Sequence, residues 1–242
     1  MCEVKPVPAF RLGRGCEVAG YTLLHPVGRG WESTRYRAAE RLSGAVRRLQ
    51  FYRASGAGDI AAVGHVAATF DHLHRTGAVP AYHHMDIWRR NARETVPFLA
   101  LGFIDGAPLT RLLQPGRWRR GWRDATGLRL LRAVAAKLAT VHALGLGVGD
   151  FQDGNNIIVK NRRDPVWCDL DAGTSDEPNR DRETDLWHWF GLLDAMAEHQ
   201  PVSPLVARAV RKLGRIRNRR FRADSMAEIV ERLSPLIEPP DG

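Results

Sequence analysis

Asp150, Asn155 and Asp169 are the residues of this chain whose types and spacing could support chemistry. The first two lie in Val148-Gly149-Asp150-Phe151-Gln152-Asp153-Gly154-Asn155-Asn156-Ile157-Ile158-Val159, the third in Trp167-Cys168-Asp169-Leu170-Asp171. An Asp, an Asn five residues later, an apolar strand, a break and a second Asp after another apolar pair make a phosphoryl-transfer pattern. One Asp would orient an attacking hydroxyl, while the Asn and the second Asp would hold Mg²⁺ against nucleotide phosphates. Two β-hairpin strands with polar turns account for the same stretch equally well on its own. The elements around it must decide.

The segment before it, Ala125–Leu144, is the strongest helical pattern in the chain. Leu128, Leu131, Val134, Ala135, Leu138 and Val141 form one stripe, and Gly145 occupies the stop position. Ahead of that helix the pattern is strand-rich. Tyr21-Thr22-Leu23-Leu24 reads as a strand, Val27-Gly28-Arg29-Gly30-Trp31 as a glycine-bearing tip, and Thr34-Arg35-Tyr36-Arg37-Ala38 as the returning strand. Two glycines there let backbone N–H groups approach phosphates without a Cβ in the way, although a lone G-x-G also serves an ordinary hairpin. Residues 45–52 make a third strand, residues 59–75 a helix, and Pro97–Ile104 a short buried strand. His65, His72 and His74, in or beside that helix, have no carboxylate or Cys at metal-ligand spacing and read as surface or packing residues. A short helix over Leu109–Leu113 follows the Asp105-Gly106 turn. After the Asp/Asn segment, Thr184 or Asp185 is expected to cap a helix over Leu186–Glu198. Helices over Ser203–Leu213 and Met226–Leu236 close the chain, the last with Ser225 and Glu228 as a capping box.

Composition sets outer bounds. The 242 residues suffice for one large domain or two lobes, and 44% hydrophobic with 26% charged residues is ordinary for a folded chain. Cys2, Cys16 and Cys168 have neither metal-knuckle nor disulfide-framework spacing, which fits a reducing compartment. No apolar run approaches the ~20 residues of a membrane span, and no signal-peptide core opens the chain, so no membrane partner and a cytoplasmic location are expected. The net charge of +9 permits an acidic partner. Its carriers are nearly all arginine, the only lysines being Lys5, Lys137, Lys160 and Lys212. Residues 115–123, PGRWRRGWR, mix arginine with Trp118 and Trp122 in a way that suits single-stranded nucleic acid or a solvated connector.

In order and spacing, these parts resemble the bilobal protein-kinase superfamily in a small bacterial Ser/Thr-kinase-like form, from about Tyr21 to the C-terminus. Gly28-Arg29-Gly30-Trp31 resembles the glycine-rich loop. Leu99-Ala100-Leu101-Gly102-Phe103-Ile104-Asp105-Gly106 resembles the hinge strand, with Leu101 at the gatekeeper position. Asp185-Leu186-Trp187-His188-Trp189-Phe190-Gly191 is similar to the core helix whose Asp hydrogen-bonds the catalytic-loop backbone. Arg220-Phe221-Arg222-Ala223-Asp224-Ser225 resembles the arginine-containing turn before the last helix. The resemblance implies an α+β bilobal kinase-like fold with a small antiparallel-sheet N-lobe and a mainly helical C-lobe. It also implies an N-lobe over about 21–104 and a C-lobe over about 105–242, while residues 1–20, Pro/Gly-spaced and weakly patterned, read as an arm ahead of the domain. ATP and Mg²⁺ are the implied cofactors, with Gly28, Gly30, Arg48, Leu101 and Phe103 on the nucleotide, Asp150 as base, and Asn155 and Asp169 on the metal. Asn156 takes the place of Asn155 if the loop is shifted by one.

The departures from that pattern concern function. Kinases place a lysine on the third strand, but no lysine lies between Lys5 and Lys137, leaving Arg48, or Arg47, in its place. Arginine keeps the charge and changes the geometry. Losing one charge-assisted contact worth about 1.5–3 kcal/mol would slow transfer roughly 10- to 150-fold. The helix that should supply a partner Glu offers only Asp59 and Asp71, and Val148-Gly149 replaces His-Arg ahead of Asp150. Asp169-Leu170-Asp171 keeps only the first residue of the Asp-Phe-Gly signature, and no Ala-Pro-Glu motif follows. Three expectations result: an ATP/Mg²⁺-dependent phosphotransferase acting on a protein or small-molecule hydroxyl; a pseudokinase scaffold without turnover; and a basic nucleic-acid-binding protein using residues 115–123 and the arginines of 208–222.

Overall fold

The computed structural model describes residues 12–30, 33–53, 57–92, 94–113, 124–149, 151, 154–170, 178–198, 203–213 and 225–237. Two compact units form, one from the chain up to Arg75 with Pro80–Phe103, the other from Thr76–Val79 with the chain from Ile104 onward.

Alternation of apolar and polar residues builds the first unit. Strands β1 (Glu17–Val18), β2 (Tyr21–Arg29), β3 (Ser33–Glu40), β4 (Val46–Tyr52), β5 (Tyr82–Arg89) and β6 (Thr95–Gly102) form one antiparallel sheet in the order β1-β2-β3-β4-β6-β5. One face buries Tyr36, Ala38, Leu49, Phe51, Phe98 and Ala100. The Phe51 ring tilts against Phe98 at 5.4 Å and meets Tyr36 edge-on at 5.8 Å. Each fully buried side chain of this size contributes about 1.5–3 kcal/mol over its exposed state. Tyr21 of β2 stacks on His84 of β5 at 5.9 Å, so the sheet curls until strands far apart in its order touch. Helix α1 (Ala57–Leu73) turns Val63, Ala67, Phe70 and Leu73 inward and packs on β5 and β6.

Three features here differ from the sequence expectation. Residues 12–20 are joined to the sheet rather than standing ahead of it: Gly15 N–H donates to the Leu23 carbonyl, Leu23 N–H donates to the Cys16 carbonyl, and Leu12 N–H donates to the Tyr36 hydroxyl. Gly28 lies within β2, paired with Arg35, and not at the hairpin tip. Strand β5, YHHMDIWR, carries too little apolar alternation to read as a strand, because as a sheet edge it is mostly exposed or half-exposed.

The second unit is mainly helical. Its small sheet is β7 (Ala107–Pro108), β8 (Ile157–Lys160) and β9 (Asp164–Trp167), in that order. Helix α2 (Leu109–Leu113) precedes α3 (Asp124–Ala143), whose apolar stripe from Leu128 to Val141 is buried as its periodicity requires. Helices α4 (Pro178–Glu198) and α6 (Met226–Ile237) pack on α3, and α5 (Pro204–Leu213) packs on α4 and α6. The Trp189 indole N–H donates to the Leu131 carbonyl at 2.9 Å, tying α4 to α3. Ser225 Oγ accepts the Glu228 N–H and Ser203 Oγ the Val206 N–H, as N-caps. Helix α4 begins at Pro178, so Thr184 and Asp185 lie inside it and cap nothing.

No helix among the described residues is long and apolar enough to cross a membrane. The segments 115–123 and 214–224, with the Arg/Trp run and the arginine turn, lie outside the described residues.

Candidate functional site

The β-strand alternation that buries Tyr36, Leu49 and Phe51 on one face puts Arg35, Arg37, Arg48 and Gln50 on the other. Registers across the sheet then draw two adjacent rows. Gly28, Arg35, Gln50 and Leu99 are successive partners in one, and Arg37, Arg48 and Leu101 in the next. Three residues expected at a nucleotide, Gly28, Arg48 and Leu101, therefore share one sheet face. Phe103 joins it from the end of β6, its ring centroid 4.9 Å from the Arg37 guanidinium carbon in a cation–π contact. Arg48 is only 5% exposed, and Leu101 is fully buried.

Arg35 was not anticipated. Its side chain lies along the glycine segment: a Cβ at Gly30 would sit 3.2 Å from Arg35 Nη2, and one at Gly28 would sit 3.9 Å from Nη1. The Gly30 N–H donates to Ser33 O at 2.8 Å and closes the turn. Arg35, Arg37 and Arg48 make one face of the sheet cationic, and guanidinium groups suit phosphate oxygens through paired N–H donors. The visible signal was the Arg-Tyr-Arg alternation of β3, which marks a two-faced strand without saying which face is used. Of the two α1 acids, Asp71 is exposed and lies 3.6 Å from His74; the side chain of Asp59 is outside the described residues.

In the helical unit, α4 reaches back to the segment before Asp150. The Asp185 carboxylate is fully buried. It accepts the Val148 N–H and the Gly149 N–H, both at 2.9 Å, and lies 2.8 Å from His142 Nε2. A buried carboxylate without such donors would be strongly unfavourable. Gly149 has φ +80°, a left-handed conformation that a side chain resists. Phe151 is fully buried between Trp167 and His188, edge-on to both at 5.9 and 5.1 Å, and its carbonyl accepts the Gly154 N–H. Asp150 itself lies outside the described residues, but the residues on both sides of it are held.

The hairpin of β8 and β9 brings the two expected metal ligands to one end. Ile157 pairs with Trp167, and just beyond them Cys168 N–H donates to Asn156 O at 2.8 Å. Asn155 and Asp169 are the next residue outward on either strand. Asn155 is exposed, and Asp169 and Asn156 are half-buried. An amide oxygen beside a carboxylate is a hard-donor set that suits Mg²⁺. Asn156, whose backbone carbonyl accepts the hairpin bond, stays a candidate beside Asn155.

No family model matches the sequence, and no curated protein matches it. Solved structures do. The kinase domain of PknI from Mycobacterium tuberculosis is 15% identical, with a TM-score of 0.62 over 93% of this chain and 99% of that one. A cysteine-to-alanine variant of the same domain is 17% identical, with a TM-score of 0.62 over 94% and 99%. A double variant gives 16%, 0.63, 94% and 100%. The chain has a protein kinase-like fold.

Proposed function

We propose that this chain is an ATP- and Mg²⁺-dependent phosphotransferase acting on a hydroxyl of a protein or small molecule. The observation that carries the reading is the grip of Asp185 on the N–H groups of Val148 and Gly149, immediately before Asp150. A loop tied at consecutive backbone groups is preorganised, and phosphoryl transfer depends almost entirely on positioning and electrostatics.

Asp150 is the residue assigned to orient the acceptor hydroxyl and take its proton. Asn155 and Asp169 are assigned to Mg²⁺, which when bound neutralises charge on the phosphates. The adenine side of the nucleotide is assigned to Leu101 and Phe103, and the phosphates to the Gly28–Gly30 segment with Arg48. Purified protein with Mg-ATP and a panel of hydroxyl acceptors, itself included, tests the reading by γ-phosphate transfer. Asp169→Asn should abolish the label. Transfer that survives this substitution unchanged would falsify the mechanism.

A second reading, a nucleotide-binding module without turnover, draws on the buried Arg48 at the position of the expected lysine. It predicts stabilisation by ATP with no transfer to any acceptor.

A further inference from the structure

We propose that His188 is a positioning residue for the Asp150 segment, acting through the peptide unit that leads into Asp150. This rests on the phosphotransferase reading, in which Asp150 is the base. The Gly149 carbonyl belongs to the peptide between residues 149 and 150, and the Phe151 N–H to the peptide between 150 and 151. Peptides are planar, so a hydrogen bond at the Gly149 carbonyl fixes the orientation of the whole unit between residues 149 and 150. His188 Nδ1 lies 3.0 Å from Gly149 O and 3.5 Å from Phe151 N.

A single ring nitrogen either carries a hydrogen or offers a lone pair, so it cannot serve both groups at once. The 3.0 Å contact has ordinary hydrogen-bond length, and the 3.5 Å contact is at the outer limit. Nδ1 therefore carries the hydrogen and donates it to the Gly149 carbonyl. The ring also meets Phe151 edge-on at 5.1 Å, which restricts its tilt.

Asp185 stands three residues earlier on α4, about one turn away on the same side of the helix. Its carboxylate takes the Gly149 N–H, while His188 takes the Gly149 carbonyl. Two side chains of one helix thus hold the residue before Asp150 at both of its backbone polar groups. The two have different tasks. Without Asp185 a buried set of donors is stranded; without His188 the peptide leading into Asp150 is free to rotate while the fold persists.

The test compares steady-state γ-phosphate transfer by wild type, His188→Leu and His188→Asn, the Asn amide being able to donate in place of Nδ1–H. His188→Leu should lose roughly 10- to 100-fold in kcat, with KM for ATP changed less than about threefold, as a misplaced reacting group costs rate and not binding. His188→Asn should stay within about fivefold of wild type because it restores the donor. The ¹⁵N spectrum of His188 in wild type should show a protonated Nδ1. An active wild type whose kcat is unchanged by His188→Leu overturns the positioning role alone. So does an Asn variant that folds and is no better than Leu, or a bare Nδ1. A wild type without transfer overturns the phosphotransferase reading and this role with it.

Discussion

Asp185 and Gly149 stand 36 residues apart in sequence, yet a carboxylate oxygen of one accepts the backbone N–H of the other at 2.9 Å. The second oxygen takes Val148 N–H and faces His142 Nε2. All of this happens at a side chain with no solvent exposure. Removing it strands buried donors on two elements. Asp185→Ala should cost about 3–5 kcal/mol, which at roughly 2–4 °C per kcal/mol in a chain of this size lowers the melting temperature by about 6–20 °C. Asp185→Asn should cost less, since one oxygen still accepts. Calorimetric melts of the two variants measure the difference; equal melts for wild type and Asp185→Ala would show that the network contributes nothing.

Asp185 also shows where sequence reasoning reaches its limit. An Asp ahead of an apolar helical pattern invites assignment as an N-cap, because caps satisfy orphan backbone N–H groups. The carboxylate does accept orphan N–H groups, but they belong to a distant loop, and the helix has already run from Pro178. The local pattern alone pointed to the wrong donors, whereas the resemblance of residues 185–191 to the kinase core helix pointed to the loop backbone ahead of Asp150, where they are. By contrast, the stripe of α3 and the cap at Ser225 depend on spacing within one element, and they stand as read. Strand β5 was invisible because an edge strand need not bury a face, and Arg35 because its importance lies in a register with Gly28.

Gly154 makes a second constraint on the same loop. Its φ is +74°, and a Cβ there would lie 2.9–3.0 Å from the Cβ, Cγ and Cδ2 atoms of Leu109, a fully buried residue. Gly154→Ala should therefore destabilise by more than the roughly 1–2 kcal/mol of the left-handed backbone alone. Leu109→Ala removes two of the three clashing atoms and on its own costs about 2–5 kcal/mol. A double-mutant cycle in denaturant should return a favourable coupling of at least about 0.5 kcal/mol. Strict additivity would mean that the two residues do not press on each other.

The cationic face of the sheet makes a separate prediction about phosphate recognition. Arg48→Met keeps the stem volume in a buried position and removes the guanidinium, while Arg35→Ala clears the glycine segment. If this face takes the phosphates, each variant should weaken ATP binding about tenfold or more, since a charge-assisted bond contributes about 1.5–3 kcal/mol. Adenosine binding should hardly change. Isothermal titration with ATP, ADP and adenosine separates the two effects. Equal losses for ATP and adenosine would assign these arginines to the architecture of the sheet instead.

Lys137, one of only four lysines, has a structural task that the sequence does not announce. From the middle of α3 its ammonium donates to the Gly77 carbonyl at 2.7 Å and pairs with Asp164 at the start of β9. One residue on, the Ala78 carbonyl accepts the Trp167 N–H at 2.8 Å, and Ala78 and Val79 are buried. Residues 76–79 are thereby stitched into the helical unit through one side chain and one strand end. Lys137→Met keeps the aliphatic stem but leaves the Gly77 carbonyl and the Asp164 carboxylate without their donor. The expected cost is about 1–3 kcal/mol, discounted toward the lower end because Asp164 is 41% exposed and screened by solvent. Amide exchange at Trp167 should accelerate with it, because that N–H depends on Ala78 staying in place, while amides in the middle of β4 should keep their wild-type rates. Protection at Trp167 unchanged in Lys137→Met would mean that burial of Ala78 and Val79 holds the segment without the lysine.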